Sequence, residues 1–286
     1  MKKYKLKSYC KINLSLRVLK RLDNGYHKIM SLMTFCDLYD VVSININNQT
    51  KDEVSFSGKF KRGIKKNSNT IIKTLNLLRH RKFLKNKYFK INVKKNIPHG
   101  SGLGGGSSNA AILLKFLKSH INLKIKKKEI YEIASQIGSE VPIALERKNT
   151  FFDGKKNKIS RIDTKFKFVS VIVYPNISCS TREIYKRNKN FTSLKYRFKD
   201  TSEKKKLVDI LKKENNDLEK TVIEFHPKIG KLINFIKVQK GCYFSRITGS
   251  GSACIGIFSN MKRALYSKKL IKLKFPKYWI VVSKTI

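Results

Sequence analysis

The chain of 286 residues is long enough to bury a sizeable core and fits one large domain or two of ordinary size. Its 64 Lys and Arg residues against 19 Asp and Glu residues give a formal net charge of +45, spread along the whole sequence. Because no basic arm, recognition helix or aromatic RNA-binding motif concentrates that charge, we expect no specific nucleic-acid partner, only nonspecific binding to polyanions in vitro.

The part of the chain before residue 97 predicts strands and one helix. Apolar and polar residues alternate in short runs, typical of strands with one wet face, at residues 14–18, 42–46, 54–56 and 89–93. A helix is predicted after Asn69 by apolar residues at helical spacing, namely Ile71, Ile72, Leu75 and Leu78.

Residues 97–111 form a glycine-rich loop that runs into an apolar segment: Ile-Pro-His-Gly-Ser-Gly-Leu-Gly-Gly-Gly-Ser-Ser-Asn-Ala-Ala. Glycine lets a backbone approach an anion without a Cβ atom in the way, and successive N–H groups then point at the charge. We expect Ser107 or Ser108 to cap the following helix, whose positive end would face that charge. The loop is therefore predicted to hold a nucleotide phosphate.

Other classes of glycine loop fit this sequence less well. Gly100, Gly102 and Gly105 satisfy the dinucleotide pattern G-x-G-x-x-G, but about ninety residues precede the loop, and residues 122–128 are basic where a ribose-binding acid is needed. The G-x-x-x-x-G-K-[ST] loop and the H-R-D and D-F-G motifs of protein kinases are absent. A mobile linker is the weaker alternative, because linkers do not usually lead straight into an apolar helix.

The remainder of the chain predicts mixed helices and strands. A helix over residues 130–137 is closed by Gly138, and a buried strand at 168–174 begins a second domain. Further helices are predicted at 207–211, 217–225, 229–236 and 261–271, with strands at 253–258 and 280–282. The basic segment 186–206 lacks periodicity, so we expect a disordered surface excursion there.

Cysteine usage predicts a reducing compartment, and hydropathy predicts a protein without a membrane span. The five cysteines are widely spaced and include no C-x-x-C pair, so neither a disulfide framework nor a zinc site is indicated. No apolar run approaches the length of a membrane span. We therefore expect a soluble cytoplasmic protein without a membrane partner.

The glycine loop resembles that of the GHMP small-molecule kinases, P-x-G-x-G-L-G-G-S-S. The corresponding loop residues here, with one glycine more than the pattern, are Pro98, Gly100, Gly102, Leu103, Gly104, Gly105, Gly106, Ser107 and Ser108. Three further stretches are similar to the 4-diphosphocytidyl-2-C-methyl-D-erythritol kinase family: Cys-Lys-Ile-Asn-Leu at 10–14, Asp-Asn-Gly-Tyr-His at 23–27 and Thr-Gly-Ser-Gly-Ser at 248–252. Weaker similarities are Asn-Asp-Leu-Glu at 216–219 and Asn-Thr-Ile at 69–71.

The resemblance implies an α+β, two-domain GHMP kinase architecture. Residues 1–157 are expected to form an N-terminal mixed α/β domain with the phosphate loop, and residues 158–286 a C-terminal ferredoxin-like α+β domain. The implied enzyme uses ATP and Mg²⁺ to phosphorylate the 2-hydroxyl of 4-diphosphocytidyl-2-C-methyl-D-erythritol in isoprenoid precursor biosynthesis. The implied partner is a small cytidine-diphosphate molecule, and the expected oligomeric state is a monomer or weak homodimer.

The resemblance also implies roles for individual residues. Lys11 and Glu140 are the expected catalytic pair, Asn69 and Asn109 join the loop in binding ATP, and the metal ligands are not identified beyond the two loop serines as candidates. The expected substrate-binding residues are Asn13, Tyr26, His27, Thr181, Tyr185, Gly249 and Gly251. Aromatic rings presented in a turn stack on bases with about 1–3 kcal/mol each. Without the family pattern, ordinary explanations stay open, such as a solvated strand lysine, a surface turn or a capping hydroxyl.

One position departs from the family pattern. The family has Gly-Ala-Asp-Val-Pro around the base that accepts the hydroxyl proton, whereas residues 138–142 are Gly-Ser-Glu-Val-Pro. Glu140 keeps the carboxylate but adds one methylene, about 1.5 Å, and a displacement of about 1 Å costs on the order of a hundredfold in rate. We expect an active but slow kinase with a Lys11–Glu140 ion pair. The alternatives are another GHMP kinase, acting on homoserine, mevalonate or a sugar, and a decayed homologue that binds nucleic acid nonspecifically.

Overall fold

The computed structural model describes residues 3–47, 50–65, 67–121, 123–162, 167–195, 201 and 203–286. These residues form an α+β fold, as predicted, with strands and helices in both halves of the sequence. The chain divides into two compact units built from discontinuous segments. Unit 1 comprises Met1–Lys11, Leu38–His99 and Gly104–Arg147, and unit 2 comprises Ile12–Asp37, Gly100–Leu103 and Lys148–Ile286. The predicted domains 1–157 and 158–286 are continuous in sequence, and that division stays a prediction.

Unit 1 contains a sheet and the helices that share its core. Strands β1 (Lys3–Arg21) and β2 (His27–Asn47) pair with each other, and each contributes residues to both units. The second half of β2 runs antiparallel to β4 (Tyr88–Lys94), which is parallel to β3 (Glu53–Ser57). The helices are α1 (Thr70–His80), α2 (Gly105–His120), α3 (Lys127–Ile137) and α4 (Val141–Ala144). The shared core includes Val42, Ile44, Leu75, Phe89, Ile91, Leu113, Leu114, Leu117 and Ile133.

Helix α1 follows the sequence pattern closely. Asn69 is its N-cap, and the Asn69 side chain accepts hydrogen bonds from the backbone N–H groups of Ile71 and Ile72, both at 3.1 Å. Such capping satisfies amides that have no partner within the helix. Helix α3 likewise buries the predicted face and ends at Gly138, so both helices are confirmed.

Helix α2 begins earlier than the serine residues suggested. Its N-cap is Gly104, with φ +66° and no side-chain hydrogen bond, and Ser107 and Ser108 lie inside the first turn. The prediction that one of these serines caps the helix is therefore wrong. Glycine adopts this left-handed conformation without the steric cost that a Cβ atom brings, so the helix starts directly at the end of the loop.

Unit 2 contains further pairing of β2 and a separate four-stranded sheet. The first half of β2 pairs antiparallel with β5 (Asn149–Asp153), which pairs with β6 (Lys158–Ile162). The separate sheet has the order β10 (Trp279–Lys284), β7 (Val169–Tyr174), β9 (Cys254–Phe258), β8 (Cys242–Ile247) and is antiparallel throughout. The helices are α5 (Thr181–Arg187), α6 (Lys204–Lys213), α7 (Glu219–Phe225), α8 (Pro227–Lys237) and α9 (Met261–Lys274). Apolar side chains of α8 and α9 join those of this sheet in one core, an α+β arrangement as expected.

The basic segment 186–206 is more ordered than expected where the structure describes it. The backbone N–H of Thr192 donates to Val18 at 2.8 Å, and the Thr192 hydroxyl donates to Asp217 at 2.6 Å. Asn188 is buried and accepts a hydrogen bond from Thr221. The expectation of disorder is therefore wrong for residues 188–195. The sequence did not predict this order, because the contacts join residues that are far apart in the chain. Residues 196–200 and 202 lie outside the described residues.

The five cysteines are all present as thiols. Within the described ranges, no helix combines the length and the apolar character needed to cross a bilayer.

Candidate active site

The second half of the glycine loop forms the start of α2 in unit 1. Gly100, Gly102 and Gly104 have φ values of +63°, +80° and +66°, in the region that side chains disfavour. The first amides of α2, from Gly105 to Ser107, have no partner within the helix, and the helix dipole is positive at this end. The start of α2 therefore has the geometry of an anion site.

Lys11 and Glu140 form an ion pair in unit 1. The Lys11 Nζ lies 2.7 Å from the Glu140 Oε1. The lysine side chain is 4% exposed, whereas that of the glutamate is 38% exposed. The solvated-strand explanation for Lys11 is thus excluded, and the expected ion pair is present. The longer glutamate side chain thus reaches the Lys11 ammonium at an ordinary salt-bridge distance.

Gly104 lies directly against Lys11. A Cβ atom at Gly104 would come within 2.6 Å of the Lys11 Cγ, closer than real side chains approach. The absence of a side chain at this position lets the lysine pass beside the first turn of α2. The buried ammonium, the partly exposed carboxylate and the anion-binding helix end are consequently neighbours.

Another ion pair, in which both side chains are buried, lies beside the same helix end and was not predicted from the sequence. The Asp40 carboxylate accepts a hydrogen bond from the Lys95 ammonium, and both side chains are buried. A Cβ atom at Gly105 would lie 3.3 Å from the Lys95 Nζ. In a chain with 64 Lys and Arg residues, no pattern distinguishes this lysine from its solvated neighbours.

The N-terminus of α1 lies beside the first turn of α2. The Thr70 hydroxyl donates to the Gly106 carbonyl at 2.8 Å. The Asn69 side chain caps α1 and also donates to the Lys65 carbonyl at 3.1 Å. The structure thus gives Asn69 a capping role, and its contact with a nucleotide stays a prediction.

The polar side chains of the first turns of α2 differ in their surroundings. Ser108 is buried, and its hydroxyl has no hydrogen-bond partner among the described residues. The Asn109 Nδ2 donates to Asp40 at 3.2 Å, so this amide is directed at a buried carboxylate.

No group of three or more His, Cys, Asp or Glu side chains forms a metal site in the part of the chain that the structure describes.

The first half of the glycine loop packs within unit 2. The Gly100 carbonyl accepts from the Cys179 N–H at 3.1 Å, and the Ser101 carbonyl accepts from the Ala253 N–H at 3.0 Å. A Cβ atom at Gly102 would clash with the Thr248 carbonyl. Residues 100–102 therefore lie against the second glycine loop, residues 248–252.

The second glycine loop is held by polar side chains that include two predicted site residues. The Thr248 hydroxyl accepts from the Asn13 N–H at 2.9 Å and donates to the Asn13 Oδ1 at 3.3 Å. The hydroxyls of Thr181 and Ser250 are 2.9 Å apart. Gly249 and Gly251 have φ values of +57° and +75°, which explains why glycine occupies these positions. Asn13, Thr181 and the two glycines thus belong to one cluster in unit 2.

The Asn-Asp-Leu-Glu stretch also fixes this loop and its surroundings. Asn216 donates to the carbonyls of Gly249 at 2.8 Å and Ile247 at 3.2 Å, and Glu219 accepts from the Ile247 N–H at 2.8 Å. Asp217 accepts from Arg17 and from the Val18 N–H. Sequence similarity identified the stretch, but only its contacts explain why these residue types are needed.

His27 lies among aromatic rings in unit 2. Its ring centroid is 5.1 Å from that of Tyr185 and 6.5 Å from that of Phe191, which the sequence analysis did not identify. The His27 Nε2 is buried and lacks a partner among the described residues. Tyr26 stands in the preceding turn and is 69% exposed. Burial, and secondly the charge of Arg21, lower the pKa of His27 below its ordinary value of 6.5.

Comparison with known proteins connects these observations. Residues 69–145 match the family described as GHMP kinases N terminal domain, and residues 199–271 match GHMP kinases C terminal. The 4-diphosphocytidyl-2-C-methyl-D-erythritol kinase of Pelagibacter ubique is 35% identical over 286 residues, covering 100% of both chains. The protein of that name from Caldanaerobacter subterraneus subsp. tengcongensis is 33% identical, covering 99% of this chain and 97% of its own.

The fold comparison agrees with the sequence comparison. A crystal structure of 4-(cytidine 5'-diphospho)-2C-methyl-D-erythritol kinase has a TM-score of 0.75 to this chain, with 19% sequence identity. The match covers 99% of this chain and 100% of that chain. The expected two-domain GHMP kinase fold is confirmed.

We expect Gly104→Ala to lower the free energy of unfolding by about 1–3 kcal/mol, because the residue is left-handed and its Cβ atom meets Lys11. Gly106→Ala is the matched control. Its Cβ atom would lie 3.6 Å from the Thr70 Oγ1, and alanine favours a helix interior by up to about 1 kcal/mol over glycine. Chemical denaturation compares the two, and equal effects on stability would contradict the role given to Gly104.

NMR titration should give His27 a midpoint below pH 6.5. Arg21→Ala should raise that midpoint without reaching 6.5, because burial is the larger cause. Between the lowered pKa and 6.5 the unfolded chain binds more protons at this site, so His27 reduces stability as the pH falls. His27→Gln should therefore make the stability less sensitive to pH between 5 and 7. An Arg21→Ala midpoint at or above 6.5 would show that burial is not the main cause.

Proposed function

This chain belongs to the 4-diphosphocytidyl-2-C-methyl-D-erythritol kinase family of GHMP kinases, and we propose that it transfers the γ-phosphoryl group of ATP to the 2-hydroxyl of 4-diphosphocytidyl-2-C-methyl-D-erythritol. The reaction belongs to the biosynthesis of isoprenoid precursors. The observation that carries the mechanism is the Lys11–Glu140 ion pair beside Gly104 at the start of α2. It joins an acid–base group and a cation to an anion-binding helix end.

The loop binds the triphosphate of ATP in this proposal. The amides at the start of α2 donate to phosphate oxygens, and the helix dipole favours their negative charge. Pro98, Gly100, Gly102 and Leu103 complete the loop motif by which this chain resembles the family. Asn69 and Thr70, at the adjacent start of α1, border the nucleotide through the contact of Thr70 with Gly106.

Glu140 acts as the general base. It takes the proton of the 2-hydroxyl as that oxygen forms a bond to the γ-phosphorus, and the bond from the phosphorus to the bridging oxygen breaks to release ADP. The Lys11 ammonium stabilises negative charge on the acceptor oxygen. The partial exposure of Glu140 supports this role, because the carboxylate is accessible to a ligand while its partner is buried.

The residues of the loop fit Mg²⁺ bound largely through the nucleotide. Loop hydroxyls hold this ion in phosphate-loop enzymes, and the buried Ser108 hydroxyl has no partner among the described residues. Ser107 is the alternative ligand. When bound, the ion neutralises charge on the phosphates.

The His27 cluster binds the cytosine base. A neutral imidazole with an unpartnered Nε2 can hydrogen-bond the polar edge of the base, and the lowered pKa keeps the ring neutral at physiological pH. Tyr26 and Tyr185 supply rings for stacking, each worth about 1–3 kcal/mol. Asn13, Thr181, Gly249 and Gly251 contact the remainder of the substrate.

Four further properties belong to the proposal. The enzyme acts in the cytoplasm, where cysteine thiols of the kind found here persist. It works as a monomer or weak homodimer, and it has no specific nucleic-acid partner. Its turnover is slow for the family because of the glutamate at position 140.

A coupled assay of ADP release tests the catalytic pair. With ATP and the cytidylyl substrate, Lys11→Ala and Glu140→Gln should lower kcat by about 10²–10⁴-fold, the usual worth of positioned acid–base groups. Glu140→Asp should raise kcat by up to about 10–100-fold, because it restores the family residue and removes the extra methylene that displaces the carboxylate. The KM for ATP should change little.

Glu132→Gln provides the matched control, since Glu132 is an exposed carboxylate on α3. It should leave kcat unchanged. No turnover of the cytidylyl substrate by the wild-type protein and the aspartate variant would overturn the proposed function. Turnover of homoserine, mevalonate or a sugar instead would identify another GHMP kinase.

A further inference from the structure

Asp40 holds the two ends of the phosphate loop. It lies in β2, far from the loop in sequence, and is 0% exposed. Before the loop, its Oδ1 accepts from the backbone N–H groups of Asn96 at 2.7 Å and Ile97 at 2.9 Å. After the loop, its Oδ2 accepts from the Asn109 Nδ2 at 3.2 Å. One carboxylate therefore bonds the chain that enters the loop and the helix that leaves it.

The charge of Asp40 is fully compensated. A buried carboxylate is costly unless it is paired and hydrogen-bonded, and it offers about four acceptor positions. The Lys95 ammonium and the three N–H donors together occupy them. An apolar side chain at position 40 would leave the Lys95 charge and two backbone amides buried without an acceptor.

The loop packs tightly around this carboxylate. A Cβ atom at Gly105 would lie 3.1 Å from the Ile97 Cγ2 and 3.3 Å from the Lys95 Nζ. The segment that Asp40 fixes before the loop thus lies directly against the first residue of α2. A shift of either end would move the amides at the start of the helix.

A direct chemical role for Asp40 does not fit its surroundings. Both oxygens are engaged by donors of the protein, and the side chain has no exposed surface. In these respects it differs from Glu140, which is 38% exposed.

We propose that Asp40 is a positioning residue for ATP, and that Asn109 acts through Asp40 rather than by contacting a phosphate. The carboxylate fixes the spacing between residues 96–97 and the first turns of α2, so that the helix amides meet the phosphates in a set geometry. The inference rests on the proposed function only in taking ATP as the ligand of the loop.

A double-mutant cycle on nucleotide affinity tests the inference. Calorimetry gives the Kd of ADP, which needs no acceptor substrate, for Asp40→Asn, Asn109→Ala and the double variant. Asp40→Asn should raise the Kd by about tenfold or more, and Asn109→Ala should raise it by about threefold to tenfold. Because groups in one network couple, the double variant should bind ADP no more weakly than Asp40→Asn alone.

Two readouts separate positioning from general destabilisation. The Kd of the cytidylyl substrate should change little in both single variants, because Asp40 and Asn109 are not among the residues proposed to contact that ligand. Ser119→Ala, near the far end of α2, should leave the Kd of ADP unchanged. A wild-type protein that binds ADP but does not phosphorylate the cytidylyl substrate would overturn the proposed function and leave this cycle measurable.

Three results would overturn the inference. If the fold-changes in the Kd of ADP of the two single variants multiply in the double variant, Asn109 contacts the nucleotide independently. An unchanged Kd of ADP in Asp40→Asn, with a lower denaturation midpoint, would mean that Asp40 only stabilises the fold. If Asp40→Asn does not fold, an unchanged Kd of ADP in Asn109→Ala would be decisive against the inference.

Discussion

Burying the ammonium of Lys11 is tolerable only because an anion lies against it, and the Glu140 carboxylate at 2.7 Å supplies that charge. This requirement joins parts of unit 1 that are far apart in sequence, since β1 carries the lysine and the residue before α4 is the glutamate. It also explains Gly104, because the methylene groups of the lysine occupy the space where a side chain would stand. The ion pair, the left-handed residue and the start of α2 therefore depend on one electrostatic constraint.

The two lysine–carboxylate pairs beside the start of α2 in unit 1 have the same chemistry but different accessibility. Lys95 and Asp40 are both buried, and the carboxylate is surrounded by donors. In the pair of Lys11 and Glu140, the lysine is buried and the carboxylate is partly exposed. The closed pair suits a fixed structural distance, whereas the open pair leaves a carboxylate that a ligand can reach. Solvent access, rather than residue type, distinguishes the two tasks.

Local signals in the sequence predicted much of this arrangement. The helices at 70–80 and 127–137 followed from apolar spacing and caps, and the glycine loop followed from its composition. The Lys11–Glu140 pair was expected from the family pattern and is present. Asp40 with Lys95 was missed because its partners are more than fifty residues apart and lysine is abundant in this chain. The start of α2 was misplaced because serine is a common cap, whereas here the left-handed Gly104 takes that position.

The hydrogen bonds of residues 100–102 have a consequence for dissecting this protein into fragments. The partners of these residues are Cys179, Thr248 and Ala253, which all occur much later in the chain. A truncation after residue 157 would retain every loop residue named by the family motif and yet remove the contacts that hold its first half. The motif is thus contiguous in the sequence, but its conformation also depends on residues that follow much later in the chain.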